Sequence, residues 1–187
     1  MAVSWLEALS SLLGLAYVWL AARERVAAWP VSIAGSLLAL YVYFASQLYY
    51  ETGLYAFYIL ISLYGWQHWR RRAAQPQGRP ILRMPLPRLA LLLAACLLLS
   101  LLLGAAADRW SSADLPYWDA AIAVFSLAGT WMQARKYLEN WPLWIAVDSL
   151  AAGVYIYKGL YFFAVLFAVY TLMAWWGWKS WQLQAGA

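Results

Sequence analysis

Charge is scarce in this chain. Asp, Glu, Lys and Arg together make up 11% of its 187 residues, and histidine and cysteine occur once each. A globule of this size needs more polar surface than that to stay in water. The single cysteine, Cys96, lies in a Leu-rich run, which excludes a disulfide framework and a Cys-based metal site; it reads as a small apolar residue. The single histidine, His68, excludes haem or zinc held by several histidines. No G-x-x-x-x-G-K-S/T stretch is present, so no P-loop ATPase is encoded. The N-terminus carries no basic region, and no small-residue cleavage signal follows the first apolar run, so the first helix is expected to be retained. No metal, cofactor or catalytic constellation of nucleophile and base is expected.

What the chain has in abundance is apolar and aromatic side chains: 66% hydrophobic residues, with 14 Trp and 14 Tyr. Tyr and Trp suit a bilayer, with an apolar ring in lipid and a polar tip at the headgroups. Apolar segments run from Trp5 to Ala22, Trp29 to Gln47, Gly53 to Trp69, Arg88 to Ala107, Pro116 to Met132, Trp141 to Tyr157 and Leu160 to Trp181. Each approaches the roughly 20 residues a helix needs to cross the hydrocarbon. Their continuity excludes a β-barrel, whose strands alternate apolar and polar residues. The expected class is therefore an all-α membrane protein of seven transmembrane helices.

Of the 13 basic residues, 11 fall on one side if the N-terminus is outside: Arg23, Arg25, Arg70, Arg71, Arg72, Arg79, Arg83, Arg88, Arg135, Lys136 and Lys179. Arg109 and Lys158 remain on the other. This asymmetry predicts an outside N-terminus and a cytoplasmic C-terminus, and it accounts for the basic pI without nucleic acid. The stretch from Arg70 to Arg88 reads as a cytoplasmic linker lying next to anionic lipid.

An internal repeat emerges at a shift of 112 residues. Trp29-Pro30 falls on Trp141-Pro142, Tyr43 on Tyr155, Tyr58 on Tyr170, Gly65-Trp66 on Gly177-Trp178, and Trp69 on Trp181. The register reaches the first helix, where Trp19 and Ala22-Arg23 fall on Trp131 and Ala134-Arg135. The unit is three helices, which divides the chain into a first bundle (1–70), a cytoplasmic loop with linker helix 4 (71–115) and a second bundle (116–187). One extra crossing restores the orientation of the second unit, so the two repeats run parallel. Transporters of this plan bind substrate near the midplane between repeats.

Positions that differ between the copies are the ones able to recognise a ligand without two-fold symmetry. On helix 6, Trp144, Asp148 and Tyr155 share one face; their counterparts are Ser32, Ser36 and Tyr43. A carboxylate embedded in a membrane helix costs about 2.5–3.5 kcal/mol on insertion scales, so Asp148 is expected either to line a wet cavity or to meet a structural partner. Beside Trp144 it suits a flat, cationic heteroaromatic ligand. Helix 3 offers Tyr55, Tyr58 and Ser62, with Tyr170 as repeat partner of Tyr58; such an aromatic stripe also fits plain packing. Gln133 is a further candidate. Asn140 reads as a candidate or as a helix cap, and Asp119 as a carboxylate on a helix dipole. Trp66, Trp69, Trp178 and Trp181 read as interfacial anchors, and Gly65 and Gly177 as points of close helix approach.

Several stretches resemble the PnuC-type bacterial vitamin transporters: Ser4-Trp-Leu-Glu-Ala8, Ser62-Leu-Tyr-Gly-Trp66, Pro116-Tyr-Trp-Asp119, and above all Arg135-Lys-Tyr-Leu-Glu-Asn-Trp-Pro-Leu-Trp144 and Tyr157-Lys-Gly-Leu-Tyr161. The resemblance covers nearly the whole chain. It implies a three-plus-one-plus-three fold related to the sugar-transporting SWEET proteins, in the bacterial inner membrane. It also implies passive uptake of nicotinamide riboside, with thiamine and then riboflavin as alternatives, and a cytoplasmic vitamin kinase that traps the product. The expected partners are thus the vitamin, membrane lipid and, functionally, that kinase; homo-oligomerisation stays open, as does a membrane binding protein that does not transport. Where nicotinamide riboside carriers have Gln, Asn and Asn in helices 3, 6 and 7, this chain is read as having Tyr55, Asp148 and Trp176.

Overall fold

A computed structural model describes residues 2–45, 49–73, 81–111 and 114–185. They form seven helices: α1 (Ala2–Ala22), α2 (Ala28–Ala45), α3 (Tyr49–Ala73), α4 (Leu86–Trp110), α5 (Pro116–Ala134), α6 (Asn140–Tyr157) and α7 (Tyr161–Ala185). Each coincides with an apolar segment of the sequence. Gln47 and Arg79 lie outside the described residues. Pro30, Pro87, Pro116 and Pro142 all sit in the first turn of a helix, where the missing N–H would have no intrahelical acceptor anyway.

The ends of α1 and α5 make the same backbone turn, 112 residues apart. Arg25 N–H donates to Leu20 O and Glu24 N–H to Ala21 O, while Tyr137 N–H donates to Met132 O and Lys136 N–H to Gln133 O. This is the paired bonding of a helix that stops on a left-handed residue, and Glu24 (φ 53°) and Lys136 (φ 60°) occupy that position. Such a φ disfavours side chains with a Cβ, so two non-glycine residues here indicate that both side chains are needed. They meet: the Lys136 ammonium donates to the Glu24 carboxylate, with the Trp69 ring 4.9 Å from Lys136 Nζ.

The helices pack as a closed ring in the order α1, α2, α3, α5, α6, α7 and back to α1, and α4 packs on α5 alone. Near the Glu24–Lys136 pair the ring is filled by four tryptophans. Trp29, Trp69, Trp141 and Trp181 are all buried, with ring centroids 5.4 Å apart for Trp29–Trp69, 6.2 Å for Trp69–Trp181 and 5.4 Å for Trp141–Trp181. Trp69 and Trp181 are therefore core residues and not the interfacial anchors their place in the sequence suggested. The reason is glycine: an ideal Cβ on Gly65 would lie 2.5 Å from Trp29, and one on Gly177 2.6 Å from Trp141. Without those Cβ atoms the rings lie flat across the neighbouring helix, as small residues permit in membranes. The Trp69 indole N–H then donates to Ala134 O at 3.1 Å and that of Trp181 to Ala21 O at 3.3 Å.

α4 is a peripheral strut with an apolar outer face. Cys96, Ser100 and Gly104, spaced by four, form its buried edge, and Tyr117 closes over Gly104. Most of its leucines point away; Leu91 is 72% exposed and Leu102 60%, while Leu92 packs against the cluster of Cys96, Val124 and Ala128. Leu37, Phe57, Leu60, Phe162 and Leu172 give the ring the same apolar exterior. By length and composition alone α2, α4 and α7 qualify as membrane-crossing helices among the described residues.

The sequence presented Arg70 to Arg88 as one loop. In the structure α3 continues to Ala73, and the segment before α4 is docked: Leu82 N–H donates to Lys136 O and Leu138 N–H to Leu82 O, while Met84 N–H donates to the Glu139 carboxylate. Ile81 and Met84 are buried there, which anchors the linker to the α5–α6 turn.

Candidate functional site

A cavity of about 530 Å³ opens inside the ring. α1 supplies Tyr17, α3 Tyr55 and Tyr58, α5 Ser126 and Gln133, α6 Trp144, Asp148 and Tyr155, and α7 Phe167 and Tyr170. Trp141, from the tryptophan cluster, closes one end. At the other end Asp119, in the first turn of α5, meets Lys158, just past α6; the ammonium lies 3.1 Å from one carboxylate oxygen and 3.2 Å from the other. α6 stops there because Gly159 takes φ 70°, a conformation glycine adopts without strain.

Asp148 is 5% exposed, and its side chain makes no hydrogen bond among the described residues. Two phenols of the wall, Tyr58 and Tyr170, interact electrostatically with it. Tyr58 also hydrogen-bonds the Ser126 side chain. The charged residues of the wall are thus two carboxylates, Asp119 and Asp148, and one ammonium, Lys158, which Asp119 already neutralises. That leaves one acidic side chain, Asp148, facing the cavity beside an indole with no basic partner among the described residues.

Trp144 owes its place to α5. An ideal Cβ on Gly129 would lie 3.0 Å from Trp144 Cε2 and 3.2 Å from Nε1, so the indole rests on bare backbone. In the first repeat the sizes are exchanged: Tyr17 stands where Gly129 does, and Ser32 where Trp144 does. Tyr17 donates from its hydroxyl to Gln133 Oε1 at 2.8 Å, which fixes both side chains in the wall.

Of the residues singled out from sequence, Trp144, Asp148, Tyr155, Tyr55, Tyr58, Tyr170 and Gln133 come together around this cavity. Ser36 lines a second, adjoining cavity of about 230 Å³. Ser62 and Asn140 line neither. Ser62 is fully buried with its hydroxyl 2.9 Å from that of Ser32. Asn140 does not cap α6, because Glu139 holds the cap position; its amide instead donates to Tyr137 O at 2.6 Å. Trp176, read as the helix 7 counterpart of a ligand-contacting Asn, is 41% exposed with the Arg23 guanidinium 6.0 Å from its ring; Ala174 is the α7 residue that reaches the cavity at this depth. Sequence reasoning missed Tyr17, Ser126 and Gly129. The 112-residue register contained the signal, pairing Tyr17 with Gly129 and Gly14 with Ser126, but which partner faces inward depends on the ring.

The family model described as nicotinamide mononucleotide transporter matches residues 4–183. The nicotinamide riboside transporter PnuC of Escherichia coli is 24% identical over 204 residues, covering 96% of this chain and 85% of the relative. The riboflavin/roseoflavin transporter RibM of Streptomyces davaonensis is 25% identical, covering 98% and 87%. A crystal structure of the vitamin B3 transporter PnuC has a similar fold, with a TM-score of 0.77 at 18% identity over 98% of this chain and 83% of that one.

Proposed function

The chain belongs to the nicotinamide mononucleotide transporter family, and from that premise we propose that it carries a vitamin-type aromatic cation, nicotinamide riboside, by facilitated diffusion. It is a multi-pass membrane transporter and not an enzyme. The observation that carries the substrate reading is Asp148: a carboxylate without a counter-charge, next to Trp144, in a cavity walled by tyrosines. A pyridinium ring stacked on the indole gains the cation–π attraction, and its charge holds the carboxylate ionised.

Thiamine is also an aromatic cation and is the second reading. Riboflavin, the substrate in the name of one relative, is neutral and would leave Asp148 unpaired at a cost. A phosphorylated ligand would find no unpaired cation in the wall, because Lys158 is engaged by Asp119.

All seven helices cross the bilayer in this reading, with the N-terminus outside, the C-terminus in the cytoplasm and the tryptophan cluster at the cytoplasmic end, as the distribution of arginines suggests. The ring order supports a three-plus-one-plus-three arrangement of SWEET type, since shifting α1, α2 and α3 onto α5, α6 and α7 maps each packing pair onto another. The two bundles rock about the cavity to alternate access, and a cytoplasmic kinase traps the vitamin by phosphorylation. Uptake into proteoliposomes tests the proposal. Nicotinamide riboside is expected to equilibrate without an ion gradient, while riboflavin is not taken up; a vesicle that equilibrates none of the three vitamins contradicts transport.

A further inference from the structure

The two cavities are copies of one another. Moving the wall of the smaller one by 112 residues converts Ser10 to Ile122, Ser32 to Trp144, Ser36 to Asp148 and Tyr43 to Tyr155, and each of these residues lines the larger one. The relation also runs back across the ring, since Tyr170 in the smaller wall becomes Tyr58 in the larger when moved by the same interval in reverse. The cavities share Tyr17, Tyr43, Tyr55, Tyr155 and Tyr170 as common wall. They are two lobes of one space, and the repeats have given them different polar groups.

The second-repeat lobe has the indole and the carboxyl group. The first-repeat lobe has no charged residue in its wall, and serine stands where the other lobe has isoleucine, tryptophan and aspartate. Two of these hydroxyls are engaged: Ser10 donates to Gly35 O at 3.2 Å, and Ser32 pairs with Ser62. Ser36 is 7% exposed, and its hydroxyl has no hydrogen-bond partner among the described residues. A buried hydroxyl facing a cavity gains by meeting a ligand that bears donors and acceptors. With no charge in its wall this lobe offers a phosphate or carboxylate no partner, and although tyrosine and phenylalanine rings line it, it has no indole beside a carboxyl group like the Trp144–Asp148 pair of the other lobe.

We infer that the Ser36 lobe seats the uncharged, hydroxyl-bearing part of the substrate, a pentose in a nicotinamide riboside, while the cationic ring occupies the Trp144–Asp148 lobe. The inference rests on the cation reading above and adds to it a division of labour: charge recognition by the second repeat, hydroxyl recognition by the first. A ligand with both parts spans the pseudo-two-fold axis and takes one orientation, which two identical lobes would not impose.

Calorimetric titration of the purified full chain with two probes, nicotinamide riboside and the sugarless cation N-methylnicotinamide, methylated on the ring nitrogen, separates the lobes. Where the smaller probe binds too weakly for direct heats, its affinity is read by displacement of the riboside. Ser36→Ala is expected to weaken the riboside about 5- to 10-fold, the range of one hydrogen bond, and Ser36→Leu, which fills the lobe, to weaken it further. Both are expected to leave N-methylnicotinamide within about 2-fold of wild type, which also reports an intact fold. Riboside affinity unchanged in both variants, or both probes weakened equally, overturns the lobe assignment. Failure of the cation reading looks different: Asp148→Asn then binds both probes as wild type does, or wild type binds neither.

Discussion

Glu24 and Lys136 are the same position of the two repeats, and they form an ion pair with each other across the axis that relates those repeats. Each ends the first helix of its bundle in a left-handed conformation, and their side chains are only 21% and 12% accessible. The pair ties the α1–α2 turn to the α5–α6 turn beside the tryptophan cluster, where the two bundles must separate if they rock apart.

The pair is half-buried, so its loss should fall between the small effect of an exposed salt bridge and the larger one of a buried pair broken on one side, about 1–3 kcal/mol. Glu24→Gln and Lys136→Met are each expected to destabilise the protein by that amount in thermal unfolding in detergent. The charge-swapped double variant, Glu24→Lys with Lys136→Glu, should recover at least half of the loss. Additive losses in the swap contradict a direct pairing.

Gly65 and Gly177 face rigid indoles, so Gly65→Ala and Gly177→Ala are expected to cost about 1–3 kcal/mol or more through overpacking. Gly153→Ala has open space around its Cβ and serves as the control, expected to be neutral or slightly stabilising in a helix. Unfolding temperatures of the three variants compare them. Equal behaviour of Gly65 and Gly153 would mean that Trp29 does not lie on α3.

Gly129→Ala puts a methyl against Trp144 without touching Asp148. The indole must shift by a few tenths of an ångström, and the expected result is a roughly 10-fold weaker nicotinamide riboside, about 1.4 kcal/mol, with little change in unfolding temperature. Trp144→Phe, which keeps an aromatic face, should retain more affinity than Trp144→Ala. If the Ala variant binds as well as the Phe variant, Trp144 does not stack on the ligand.

Much of this architecture is legible in the chain. Seven apolar runs, four of them opened by a first-turn proline, become seven helices because backbone in hydrocarbon must satisfy its own hydrogen bonds. Asp148 could be singled out because an embedded carboxylate is costly, and the 112-residue register paired it with Ser36. Other features depend on which faces the ring turns inward. Trp69 and Trp181 look like interfacial anchors until Gly65 and Gly177 are seen to admit the rings of Trp29 and Trp141. Ser62 shares a helical face with Tyr58 yet turns to Ser32, and Trp176 turns outward while Ala174 reaches the cavity. The docking of Leu82 on the α5–α6 turn has no periodic signal, because it rests on two backbone hydrogen bonds.

The central claim is that the Asp148 carboxylate recognises a positive charge, and the most direct measurement is the dissociation constant of nicotinamide riboside for wild type and Asp148→Asn, with neutral riboflavin titrated against both. The ion pairing predicts at least a 10-fold loss for the riboside in the Asn variant, about 1.4 kcal/mol or more, and no loss for riboflavin. Equal affinity of wild type and Asp148→Asn for nicotinamide riboside would contradict it.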